Sequence, residues 1–182
     1  DNAPANTVPV PPKAPSTGKR IAIAGGGPGG LSAAYYLELM GHHAVVFEQK
    51  SQLGGMLRYG IPNYRFPRER LDEDIEAILS TGVEVHTNAN IGNGENDIPL
   101  SRLREDFDAV YIAIGAHTDK KIGMEGEDAQ GVISAVEMLR NIGDGNPPDF
   151  TGKRVIVVGG GNVAMDCTRS ALRLGASSVG IA

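Results

Sequence analysis

Tryptophan is absent from this 182-residue chain, and cysteine occurs once, at Cys167. A single thiol excludes an internal disulfide, a redox-active cysteine pair, and any iron–sulfur cluster built from these residues by themselves. Its neighbours in a helical pattern are apolar, which predicts a buried, inert side chain. Basic residues are outnumbered 17 to 22, and the net charge of −5 argues against nucleic acid or an anionic membrane as the main partner. No apolar run approaches the length of a membrane span, and no signal peptide is recognisable. A reducing, cytoplasmic setting is therefore expected. Aromatics are scarce at 5%, yet the 41% of hydrophobic residues is enough for a core.

Glycine is abundant, at 25 residues about twice its usual share. Much of it sits in two turns, each following an apolar strand and opening a helix. The first is Ile21-Ala22-Ile23-Ala24 followed by Gly25 to Gly30, and fits GxGxxG with Gly25, Gly27 and Gly30. In that pattern the first glycine allows the tight turn and the second lets the backbone approach a pyrophosphate. The third lets helix and strand pack closely. The phosphates then meet free N–H groups at a helix N-terminus. Glu48 ends the next strand, where a carboxylate can accept hydrogen bonds from both hydroxyls of an adenosine ribose. The second turn follows Val155 to Val158 and reads GxGxxA, with Gly159, Gly161 and Ala164. Alanine in the third place is compatible with NADPH. The residue that discriminates NAD from NADP lies after a strand beginning near Ser178, beyond Ala182, so NADH stays open. Asp166 is predicted inside the helix and cannot serve as that acid.

Two dinucleotide loops in one chain suggest an electron source and a receiver held together, the plan of a flavoprotein oxidoreductase. A non-catalytic dinucleotide-binding module is the alternative, and a dehydrogenase with one cofactor is a third reading. The alternation of strands and helices predicts the α/β class, with two Rossmann-like dinucleotide-binding domains, for FAD and NAD(P)H, both incomplete in this chain. Residues 1–19 read as a Pro-rich linker, 20–118 as the first domain and 119–182 as the second. Both ends look cut, and the chain is expected to be a piece of a longer one.

Along the chain, strands are predicted at 20–24, 44–48, 83–86 and 108–114, and helices at 29–40, 68–80, 134–142 and 162–174. His42 and His43 read as a solvated turn. Arg68–Asp72 and Arg70–Asp74 are spaced i,i+4 on the solvated face of their helix. Residues 50–67 read as a long irregular segment too apolar for disorder (Met56, Leu57, Tyr59, Ile61, Tyr64, Phe66) and so as functional.

The stretches GGGPGGLSAAYYLELMGHHAVVFE, LGGMLRYGIPNYRFP, FDAVYIAIGA and GGGNVAMD resemble the small subunit of bacterial glutamate synthase. Related proteins are dihydropyrimidine dehydrogenase and electron-bifurcating ferredoxin:NADP oxidoreductases. The resemblance runs from Arg20 to Ala182. It implies non-covalent FAD at the first loop, contacted by Gly27, Pro28, Glu48, Gln49, Gly55, Met56, Leu57 and Arg65. Ile91 would face the adenine with its backbone, and Gly115 would close over the flavin side. Gly160, Gly161, Asn162 and Val163 would hold NADPH phosphates. The family plan implies hydride passing from NADPH to FAD, then single electrons to iron–sulfur clusters outside this chain and to a larger catalytic subunit. It also implies a cysteine-rich domain upstream and a returning strand downstream. Such hydride transfer requires no side-chain acid, base or nucleophile. No catalytic residue and no metal ligand is assigned.

Overall fold

The computed structural model describes residues 9–182, so the first eight residues of the expected linker lie outside the described residues. Contacts divide the chain into two compact units. The first runs to Leu57 and resumes over Pro67–Gly115; the second takes Arg58–Phe66 and Ala116–Ala182.

In the first unit, β1 (Arg20–Ala24), β2 (His43–Phe47), β3 (Glu84–His86) and β4 (Ala109–Ile112) form a parallel sheet in the order β3-β2-β1-β4. Ile21 pairs with Ala44 on one side and Ala109 on the other. Ile23, Val45 and Val46 are fully buried, as expected for central strands of a parallel sheet covered by helices. Each such side chain stabilises the fold by about 1.5–3 kcal/mol through removal from water. Helix α1 (Pro28–Leu39) starts with proline at its first position, where a missing N–H costs nothing. It buries Leu31 and Ala34. The next residue on that stripe is not apolar: Glu38 is buried there too. Helix α3 (Arg68–Leu79) buries Leu71 and Ile75. On its open face Arg70 pairs with Glu73 at i,i+3 and 2.8 Å, which corrects the expected Arg70–Asp74 pairing. His43 is likewise not a turn residue but opens β2. Its ring reaches Glu84 of the neighbouring strand at 3.0 Å.

Two helices were not legible in the pattern. Helix α2 (Gly55–Tyr59) lies inside the segment read as irregular. Gly54 and Gly55 precede and open it at φ +117° and +51°, a path that glycine alone takes cheaply. Helix α4 (Leu100–Asp106) starts after Pro99 and buries only Leu103, too little for a periodic signal. Leu103 joins a core cluster with Ala22, Val45 and Phe47.

The second unit contains β5 (Arg154–Val157) and β6 (Ser178–Ile181), a parallel pair. Helix α5 (Ala135–Gly143) is capped by Ser134, whose hydroxyl accepts from the Glu137 N–H at 3.1 Å. Helix α6 (Asn162–Arg173) connects the two strands. Met138, Leu139, Phe150, Cys167 and Ala171 form the core between them. Burial, and then the neighbouring Asp166 carboxylate, push the Cys167 thiol up to about 11.

Candidate dinucleotide sites

The first glycine loop is held by hydrogen bonds from three directions. The Gly25 N–H donates to Phe47 O and the Gly54 N–H to Gly26 O, both at 2.8 Å. The Gly26 N–H donates to Glu48 Oε2 at 2.7 Å. Gly25 has φ +109°, and a Cβ there would fall 2.4 Å from the carbonyl oxygen of Ala113. A Cβ at Gly30 would fall 1.9 Å from Gly25 O, so α1 meets the turn closely only because glycine is present. At Gly27 the situation differs. Only the Gly55 Cα lies near the position of a Cβ, at 3.6 Å. The space over the middle glycine is therefore open to a group approaching the backbone.

Glu48 is 6% exposed. Its second oxygen, Oε1, accepts the Lys50 N–H at 2.8 Å. Each carboxylate oxygen has two lone pairs, so each keeps one acceptor position after these bonds. A ribose diol fits that remaining capacity. Sequence reasoning missed the Gly26 N–H as a partner of Glu48. Its signal was available: Gly26 is an additional glycine inside the motif, and a Cβ there would press on Leu53 at 2.4 Å and Glu48 at 3.1 Å.

The other residues assigned to this site group unevenly. Pro28 is the first residue of α1. Gln49 is exposed, just after β2, whereas Gly55 is buried against Gly27. Met56 and Leu57 are half-buried in α2. Leu57 O accepts from Arg68 Nη1 at 2.9 Å. Ile91 bridges to Ile98. The Ala89 N–H donates to Glu48 O at 2.9 Å, which brings that segment beside the strand-end acid. Gly115 follows β4 with φ +67°.

Arg65 is counted with the second unit, where its Nη1 lies 2.7 Å from Asp166 Oδ2 on α6. Tyr64 donates its hydroxyl to Asp166 O at 3.3 Å. The Arg173 guanidinium lies 3.9 Å above the Tyr64 ring, a cation–π contact. Gly143 abuts the backbone of the same segment, since a Cβ there would be 2.9 Å from Tyr59 Cα. These contacts explain why Arg58–Phe66 groups with the residues after Ala116 and not with the contiguous stretch before residue 118.

The second glycine loop is open. Gly159 has φ +120°, and its N–H donates to Ala182 O at 2.8 Å. A Cβ on Gly160 or Gly161 would meet nothing within 4 Å. Asn162 and Val163 are the exposed first residues of α6, and Ala164 is buried behind them. Backbone amides at an open helix N-terminus of this length suit a pyrophosphate.

Among the described residues, no cluster of three or more His, Cys, Asp or Glu could hold a metal ion, and no helix is long and apolar enough to cross a membrane. A groove of about 550 Å³ in the first unit is lined by Arg20, Phe47, His86, Arg102 and Phe107 among others, and by no residue of the glycine loop. The groove is separate from the glycine loop, its backbone donors and the strand-end acid Glu48.

The profile of the pyridine nucleotide-disulphide oxidoreductase family matches residues 19–181. The chain belongs to this family. Curated relatives within reach include the NADP(+)-dependent formate dehydrogenase subunit beta of Moorella thermoacetica. It is 48% identical over 166 residues, which are 90% of this chain and 23% of that protein. The NADPH glutamate synthase small chain of Escherichia coli is 38% identical over 173 residues, 90% of this chain and 36% of that protein. The resemblance read from the sequence thus holds, and the chain spans only 23% and 36% of these two relatives' lengths. Among solved structures, FprA of Mycobacterium tuberculosis in complex with NADPH superposes with a TM-score of 0.75 at 25% identity. That match covers 92% of this chain and 43% of FprA. The expected α/β fold with parallel sheets is borne out.

Proposed function

We propose that this oxidoreductase-family chain is the dinucleotide-handling part of an NAD(P)H-oxidising flavoprotein. FAD would lie at the Gly25–Gly30 loop and NADPH at the Gly159–Ala164 loop. The observation that carries the reading is the pair of strand–glycine–helix turns, one in each unit, the first backed by a buried acid that keeps spare acceptor capacity. The Gly27 and Gly30 N–H groups would receive the FAD pyrophosphate. Pro28, which has no N–H to give, would touch it through its ring at the start of α1, and Glu48 would take the ribose. Gln49, Gly55, Met56, Leu57, Arg65, Ile91 and Gly115 complete the proposed FAD set. Gly159 to Ala164 would take the NADPH phosphates. Bound flavin supplies the exchange between two-electron and one-electron chemistry that no side chain here can perform. The protein's own part is to bind, to orient and to exclude water.

The electrons would then leave for iron–sulfur clusters and a larger catalytic subunit held by other polypeptide, in the cytoplasm, as the sequence resemblance implies. The visible absorption spectrum of the purified protein, before and after adding FAD and removing the excess, tests the first step. A retained flavin band that bleaches with NADPH supports the reading. A colourless protein that ignores FAD overturns it and leaves the non-catalytic nucleotide module. Bleaching by NADH with equal rate would overturn the preference for NADPH.

A further inference from the structure

The segment leading into β1 carries four prolines between Pro9 and Pro15 and reads as a spacer. A spacer makes no specific contacts; this one makes many. The Ala14 N–H donates to Leu39 O at 2.8 Å and the Thr17 N–H to Gly41 O at 2.9 Å. The Thr17 hydroxyl donates to Gly41 O at 3.2 Å and lies 2.7 Å from His42 Nδ1. Gly41 turns at φ +82°, and a Cβ on it would fall 2.1 Å from Pro15 O. The segment is pressed onto the end of α1 more closely than any other residue at that position would allow.

Lys13 joins this contact to the core. Its ammonium forms an ion pair with Glu38 Oε2 and donates to Thr81 O at 2.7 Å. The Glu38 side chain is 3% exposed, on the stripe of α1 that otherwise carries Leu31 and Ala34. Its other oxygen accepts the Ala44 N–H at 2.8 Å and lies 3.5 Å from His43 Nδ1. A buried carboxylate needs a countercharge. A nonpolar residue at position 38 would complete the stripe without one, so the acid has a use that core packing does not supply.

We propose that residues 10–19 are a docked strap, latched by the Lys13–Glu38 pair, which fixes the path of the chain into the first unit. An electron acceptor joined through this segment would then be held at a set distance from the proposed FAD site, whereas a free Pro-rich spacer would let it swing. This second step rests on the proposed redox function; the docking itself does not.

The test uses the full-length protein with Lys13→Met, which keeps the aliphatic stem, and Lys13→Arg, which keeps the charge. Lys13 is itself 42% exposed, but Lys13→Met leaves the buried Glu38 without its countercharge. Melting temperature is therefore recorded for both variants, and faster exchange counts as opening of the strap only where the β1 and β2 amides stay slow. Hydrogen exchange is read at the Ala14 and Thr17 amides, beside flavin content, flavin reduction by NADPH, and onward electron transfer. In Lys13→Met, exchange at both amides rises on the order of tenfold, as for local opening of a latched segment. In Lys13→Arg it stays slow. Flavin content and reduction are unchanged in both, and onward transfer slows in Lys13→Met. Exchange in Lys13→Met as slow as in the parent overturns the latch. Faster exchange with undiminished onward transfer overturns the positional role. A parent protein without flavin would defeat the redox reading and leave the exchange result to decide the latch.

Discussion

The Gly26 amide donates to the Glu48 carboxylate at 2.7 Å, so the acid that ends β2 also shapes the glycine loop after β1. Parallel pairing of the two strands makes this possible, since Ala24 and Phe47 are in register and both chains leave the sheet on the same edge. One side chain therefore has three partners to satisfy: the loop, the Lys50 amide and the proposed ribose.

Glu48→Ala should weaken FAD retention sharply and also lower the stability of the protein. Two backbone donors, Gly26 and Lys50, lose their acceptor, at about 1–3 kcal/mol for each one left buried. Flavin content and melting temperature, measured together, check this. An unchanged flavin content would remove Glu48 from the site.

Alanine at the two glycine loops should have opposite consequences. Gly30→Ala places a methyl group 1.9 Å from a backbone oxygen, and should destabilise the first unit by about 1–3 kcal/mol or more. Gly161→Ala meets nothing within 4 Å, and the N-cap angles of −81° and 177° suit any residue. It should leave stability within about 0.5 kcal/mol of the parent and reduce NADPH affinity about tenfold, or 1.4 kcal/mol. Denaturation curves and NADPH titration separate the two. A Gly161→Ala protein that binds NADPH as before would move the phosphates away from this loop.

Arg65→Ala leaves Asp166 buried with its charge unmatched, while Asp166→Asn removes that charge. Water reaches Arg65, whose side chain is 42% exposed, so the loss should be only about 1–2 kcal/mol. The double variant should cost no more than the worse single one, because both changes break one contact. Additive losses in a double-mutant cycle would contradict the pairing.

Cys167 should resist iodoacetamide at pH 8 in the folded protein and react once unfolded. Its thiol is held up to about 11 against 9.0 unperturbed. The sign follows directly: between these two values the unfolded chain releases a proton that the folded one keeps. Stability is then full below pH 9 and declines as the pH rises towards 11, by at most about 1.4 kcal/mol per pH unit. Cys167→Ala should flatten that part of the stability profile. An alkaline slope that persists unchanged would assign it to other groups.

Much of the first site was legible because it is local. Gly25, Gly27, Gly30 and the acid of β2 fall within one strand–helix–strand unit, and hydrophobic periodicity marks its limits. Helices α2 and α4 escaped notice: one opens on glycines at positive φ and the other buries a single side chain. Glu38 has the spacing of a core residue and the chemistry of a surface one.

The sequence by itself determined the two glycine loops and the parallel α/β class, since short-range steric rules at glycine and the period of apolar residues need no distant partner, and the family through stretches that resemble it. Tertiary structure alone decided that Arg65 meets Asp166, 101 positions away, and that Lys13 meets Glu38 across 25. Charged side chains name no partner in the linear chain; the partner is selected by which surfaces the packed elements bring within reach.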